Sequence, residues 1–406
     1  MDDPRDVTKD CSVEGIHAVA FDSILGQFQS IEAQLIPRLG VGPLAIPLLS
    51  REPGTGKSHL IGRLWIALAG RATPVFLRAN QDRCQLWSRV LERTLQELER
   101  AAGNPMRHPR KGEPTALDFL ARRLLAFLLI RAEDIHLIEL PSALLKDLRN
   151  DPSTLVGDSQ LARWLHKEVK ELARLCHSLL LSLGVHLHSP DFLQVLIRYT
   201  TNPNDFLTRS AAILWIAGNR LDAADLEKIG SPLLPQHGDS PQDLDALSQH
   251  RLRDLCTLGS FSRPFVFAFD QTEVYARSEH LAREVGAQIA EIQSTFRNQL
   301  TLLTANESVW HRGLMHAFEP ADAQRFGRPI LLHGISLPQA RELVGVKMRS
   351  VGHDPATISE FLKNGWLEDL YREHGEELSP RTVERQASGL LDDYARTVVT
   401  EHPPPR

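Results

Sequence analysis

Five consecutive residues, Gly54, Thr55, Gly56, Lys57 and Ser58, carry the sharpest chemical signal in the chain; they close the apolar run of LAIPLLSREPGTGKSHL over Leu44–Leu60 and open a helix-like run. A strand, a glycine turn and a helix in that order form a phosphate-binding loop. Pro53–His59 are the expected cofactor-binding residues: backbone N–H groups around Gly54–Lys57 wrap an anion, Lys57 reaches the outer phosphate oxygens, and the Ser58 hydroxyl is a ligand for Mg²⁺. Glycines at 54 and 56 let the backbone approach without a Cβ, and the helix turns its positive end toward the phosphates. The usual pattern is G-x-x-x-x-G-K-[ST], and Arg51 stands at its first glycine. Pro47 is a second oddity, since proline is disfavoured inside a central strand.

A nucleoside triphosphatase needs more than the loop. The run RPFVFAFD over Arg263–Asp270 is an apolar strand ending in an acid. In a parallel sheet that end faces the ligand, so Asp270 is expected at the metal with Ser58. In the following Gln271-Thr272-Glu273, Glu273 is the candidate to orient attacking water, and Gln271 stands where hydrolytic relatives often carry a glutamate. A neighbouring strand, LTLLTA over Leu300–Ala305, runs into Asn306. From there Thr304 or, better, Asn306 faces the γ-phosphate; the alternative for Asn306 is capping a helix that begins near Ser308. Arg325 precedes the last strand, and Arg381 follows Ser379-Pro380 at the opening of the last helix. Either arginine can reach phosphates, of its own chain or of a neighbour's.

The elements that must position these residues are legible in outline. Helical spacing covers 20–38, strands are expected at Thr73–Ala79, 263–270, 300–305 and 329–333, and a helix at 280–299. Strands alternating with helices predict a parallel α/β sheet. Between Lys57 and Asp270 lie roughly two hundred residues, far more than one crossover needs. Helix-like runs at 82–102, 115–132, 158–183 and 204–219 fill that interval with no convincing strand. The expected fold class is α/β: a parallel-sheet P-loop core, a long all-helical insertion and a C-terminal helical lid. The divisions are 1–81 and 261–335 for the two parts of the core, 82–260 for the insertion and 336–406 for the lid.

Composition excludes more than it selects. A 42% hydrophobic and 24% charged chain of 406 residues is ordinary for a globular protein, and a net charge of −5 argues against a general nucleic-acid coat. Cys11, Cys84, Cys176 and Cys256 are scattered with no C-x-x-C, which predicts a reducing cytoplasm. No run is long enough to span a bilayer and MDDPRDVTKD is too polar for a signal peptide, so no membrane association is expected. His186-x-His188 lacks further ligands at metal-binding spacing. The basic run Arg107–Lys111 has no interleaved aromatics, and no nucleic-acid surface is located, although contact with nucleic acid stays open.

Loop, acid-ended strand, polar-ended strand, arginine before the last strand and Ser379-Pro380-Arg381 together resemble an AAA+ ATPase over residues 20–80 and 263–397. Within that superfamily the Asp270-Gln271-Thr272-Glu273 ending is similar to the origin-recognition-like and STAND-like branch. The stretch ILWIAGNRLDAADLEKIG over Ile213–Gly230 is similar to a segment of small ATP-binding proteins of BREX-type phage-defence systems. The resemblance implies ATP and Mg²⁺ as cofactors, hydrolysis of ATP to ADP and phosphate, a homo-oligomeric motor or switch, a cytoplasmic protein and a role in bacterial antiviral defence. No winged-helix pattern follows the lid. The helical insertion offers a surface for a protein partner. The competing expectations are a nucleotide-gated signalling scaffold with little hydrolysis and a DNA-associated loader or regulator.

Overall fold

One all-parallel sheet of five strands, β1 (Ile46–Ser50), β2 (Thr73–Arg78), β3 (Phe265–Asp270), β4 (Gln299–Asn306) and β5 (Ile330–Leu332), runs in the order β2-β3-β4-β1-β5. The computed structural model describes residues 13, 15–33, 44–79, 86–104, 107–151, 169–231, 240–296 and 298–401. Each strand expected from its apolar run is present within a residue or two of its bounds. The α/β class and the parallel sheet follow.

Period-two alternation splits every strand between two cores. Val75 and Leu77, Phe265, Phe267 and Phe269, Leu303 and Ala305, and Leu49 face one side. Phe76, Val266, Ala268, Leu300, Leu302, Ile46 and Leu48 face the other, under α1 (Ala18–Glu32) and α2 (Lys57–Ala67), which bury Ile24, Phe28, Leu60, Leu64 and Trp65 there. Burial on both faces is why these strands read as continuous apolar runs. The helix expected over 20–38 is α1, and the remainder beyond residue 33 lies outside the described residues.

Pro47 fits because of where β5 starts. The Ala45 N–H donates to the Arg325 carbonyl on the β5 side, and strand alternation would aim residue 47's donor the same way. Pairing with β5 begins only at Leu48, so Pro47 sits against a gap that needs no donor.

The interval between β2 and β3 holds α3 (Leu86–Leu98), α4 (Ala116–Asp134), α5 (Ser142–Asn150), α6 (Val169–Ser182), α7 (Asp191–Thr201), α8 (Phe206–Ile216), α9 (Ala223–Ile229) and α10 (Pro241–Gly259). Among the described residues it contains no strand. The expected helix over 158–183 appears as α6, and residues 152–168 lie outside the described ones. The block shares a core with the sheet: Leu120, Leu124, Leu196 and Leu255 belong to the same buried cluster as Phe265 and Phe267. A closed polar network ties it internally. Arg209 of α8 forks onto both oxygens of Asp118 in α4, at 2.7 and 2.9 Å, and Tyr199 and Thr115 complete the set.

After β3 come α11 (Glu279–Thr295), β4 and β5, then α12 (Leu337–Ser350), α13 (Pro355–Lys363), α14 (Trp366–His374) and α15 (Pro380–Glu401). These last helices have their own core of Leu343, Val344, Met348, Ile358, Leu367, Leu378 and Val383, joined by Val13 and Ile16 from the start of the chain. The terminal helices expected to form the lid are thus packed around a core separate from those of the sheet. Cys176 and Cys256 are buried free thiols; Cys11 and Cys84 lie outside the described residues. No helix among the described residues is long and apolar enough to cross a membrane.

Candidate functional site

β1 ends in buried Ser50, the chain turns through 51–56, and α2 starts at Lys57. Gly54 and Gly56 have φ of +83° and +105°, a conformation that a Cβ would strain. The Glu52 carbonyl accepts both the Ser50 and Thr55 hydroxyls, at 2.8 and 2.5 Å, and fixes the turn from inside. Arg51 is not among the residues with positive φ, so the departure from glycine at this place strains nothing. The N-cap of α2 is Gly56, which has no side chain to cap the helix start.

The Lys57 ammonium donates to two neutral oxygens, Ser50 Oγ at 2.6 Å and Asn306 Oδ1 at 3.1 Å. Its nearest carboxylate is Glu273 Oε1, 3.9 Å away. Burial pulls the Lys57 pKa below its ordinary value, opposed by the charges of Glu273 and Asp270 and assisted by Arg381. The cation is held without being neutralised in contact, a state that favours an incoming anion.

Asp270 is the converse. It is 3% exposed at the end of β3, with one oxygen accepting from Ser58 Oγ at 3.0 Å and the other from Thr304 Oγ1 at 2.5 Å. Thr304 also accepts the Gln271 N–H and so locks the turn after β3. Gln271 is left-handed, φ 59°, and its side chain turns away to Arg78. That turn brings Glu273, two residues on, beside Lys57. Asn306 makes no side-chain capping hydrogen bond, against the capping alternative, and its oxygen accepts from Lys57.

β4 lies between β1 and β3, so the strand order itself sets Thr304 and Asn306 between the lysine and the aspartate. Ser58 and Asp270 offer the hard oxygens that suit Mg²⁺, an ion that keeps waters and substrate phosphates in its shell. Among the described residues no group of three or more His, Cys, Asp or Glu could hold a metal by itself. His188 stacks flat on His250, ring centres 4.6 Å apart and planes 9° apart, so in-plane lone pairs cannot converge on one ion.

Arg381 arrives from the lid. Its N–H donates to the Gly54 carbonyl at 3.4 Å, and a Cβ added to Gly54 would stand 2.6 Å from the Arg381 Cβ. Ser379 caps this turn by accepting the Thr382 N–H. Arg325 is not brought to the site. Its carbonyl pairs with Ala45 at the opposite end of β1, some 16 Å of strand from Ser50. The structure therefore does not bring Arg325 to this site within its own chain.

Several partners are absent from the sequence expectations. His17, itself left-handed at φ 56°, bonds the Thr55 carbonyl through Nε2 at 2.7 Å. Burial lowers its pKa, the Thr55 bond opposes this, and the charges of Arg63 and His333 add to the lowering. Ser50 had a signal, a polar residue ending an apolar strand. His17 had none. Arg107 spends its charge on Glu113, closing part of the basic 107–111 run on itself.

Compared with known proteins, the chain matches no family model, no curated protein and no solved structure.

Proposed function

We propose that this chain binds and hydrolyses Mg-ATP as an AAA+-type ATPase, working as a homo-oligomeric switch or motor. One observation carries the reading: the Lys57 ammonium is seated by neutral Ser50 and Asn306 at the start of the helix that follows Gly56, with the Ser58–Asp270 pair alongside. In this reading Pro53–His59 surround the phosphates, Lys57 contacts the β- and γ-oxygens, Ser58 and Asp270 hold Mg²⁺, and Mg²⁺ offsets phosphate charge. Glu273 orients water, Asn306 keeps Lys57 aligned, Arg381 closes over the γ-phosphate, and Arg325 serves a neighbouring chain's site. The helical block offers the partner surface, and antiviral defence is the biological setting.

The gated-scaffold alternative draws on Gln271, which takes the place of an acid and faces Arg78 instead of the lysine. Steady-state phosphate release across a hundredfold range of protein concentration separates the two. A shared site predicts turnover per chain that rises with concentration and that Arg325→Ala abolishes while still binding ATP. Absent turnover with intact binding identifies the scaffold, and absent binding removes both.

A further inference from the structure

The residue that breaks the glycine pattern is also the one that joins three elements. Arg51 Nε donates to Glu307 at 3.3 Å, the first residue beyond β4, and its NH1 donates to Glu377 at 3.2 Å, in the turn that precedes α15 of the lid. These two carboxylates raise its pKa, the Glu377 hydrogen bond foremost. Because its φ is not positive, Arg51 holds this place without backbone strain, and a glycine there could make neither contact.

The terminal helices have their own hydrophobic core, and two polar contacts join them directly to the loop: Arg51 to Glu377, and the Arg381 N–H to the Gly54 carbonyl. Glu377 lies four residues before Arg381 on the same strap, whose Glu376 and Leu378 carbonyls also accept from Gly334 and Ile335. Holding Glu377 therefore sets where Arg381 falls over Gly54.

We propose that Arg51 is a positioning residue that latches the lid to the loop: through Glu377 it seats the α15 start, and through Glu307 it fixes that seat to the end of β4. The nucleotide consequence rests on the Mg-ATP reading of the site; the latch itself does not. With the side chains of Arg51 and Glu377 63% and 55% exposed, the latch is a solvent-screened pair that salt weakens.

The test has two arms on the full chain. In nucleotide-free protein, amide hydrogen exchange over 375–392 is compared for wild type, Arg51→Ala, Glu377→Ala and the double variant, with melting curves to show that all are folded. The latch predicts about threefold to tenfold faster exchange in each single variant, no further gain in the double, and a smaller salt effect than in wild type. Arg51→Lys recovers part of the protection. The second arm titrates a fluorescent ATP analogue with Mg²⁺, where the same variants lose about threefold to tenfold in affinity without additivity. Unchanged exchange, or single effects that add, overturns the latch whatever the nucleotide does. Faster exchange in a protein that binds no nucleotide keeps the latch and overturns the ATP site.

Discussion

Two buried acids, Asp118 in the helical block and Asp270 under the Gly-Lys-Ser loop, are treated in opposite ways. Burial works against the Asp118 charge, yet a bidentate Arg209 with help from Thr115 outweighs it and leaves the carboxyl below its ordinary value. Asp270, as deeply buried, accepts only hydroxyls, while the nearest lysine bonds neutral oxygens instead. A closed pair leaves nothing to recruit and belongs to the architecture. A cation and an acid kept apart by Ser50, Ser58 and Thr304 make no such closed pair, and this is the arrangement that the proposed Mg-ATP site requires.

The contrast can be broken most forcefully at Asp118. Asp118→Ala strands Arg209 among Tyr199 and the α4 start, and is expected to cost about 3–5 kcal/mol of stability, seen as a fall in melting temperature. Below that temperature its nucleotide affinity should match wild type; a stable Asp118→Ala would show that the pair is not structural. Next in size, Glu273→Gln should cut turnover by about a hundredfold and leave binding nearly intact, since the residue is read as orienting water. Wild-type turnover in that variant would move water activation elsewhere.

The smallest effect concerns pH. The folded state holds the His17 pKa below its ordinary value of 6.5, so the unfolded chain takes up the proton first. The stability linked to His17 is present above pH 6.5 and is lost as pH falls below it. His17→Gln keeps a donor for the Thr55 carbonyl and removes that titration, so its melting temperature should decline less than wild type between pH 7.5 and 5.5. Parallel curves would mean that His17 is not coupled to folding.

What could be read before folding was what repeats or clusters along the chain. Gly54–Ser58 form one turn, β3 announces its acid by ending a run of alternating aromatics, and the block betrays itself by length. Partners distant in sequence could not be read that way: Arg51 meets Glu307 and Glu377, and His17 meets Thr55, only once the sheet order and the lid are in place. Pro47 looked wrong for a central strand because the late start of β5 is a tertiary fact. The place of Arg325 was legible in principle, since a residue that precedes a strand of a parallel sheet borders the end away from the loop.

If Lys57 is held for an external polyphosphate, equilibrium titration of a fluorescent ATP analogue with Mg²⁺ into wild type and Lys57→Ala will show it. Saturable binding to wild type is expected, with a loss of roughly a hundredfold or more in Lys57→Ala and a melting temperature in the variant equal to or above that of wild type, because a partly buried charge is relieved. Equal affinity in the two proteins, or a Lys57→Ala chain that unfolds, would contradict it: the lysine would then be a structural cation like Arg209.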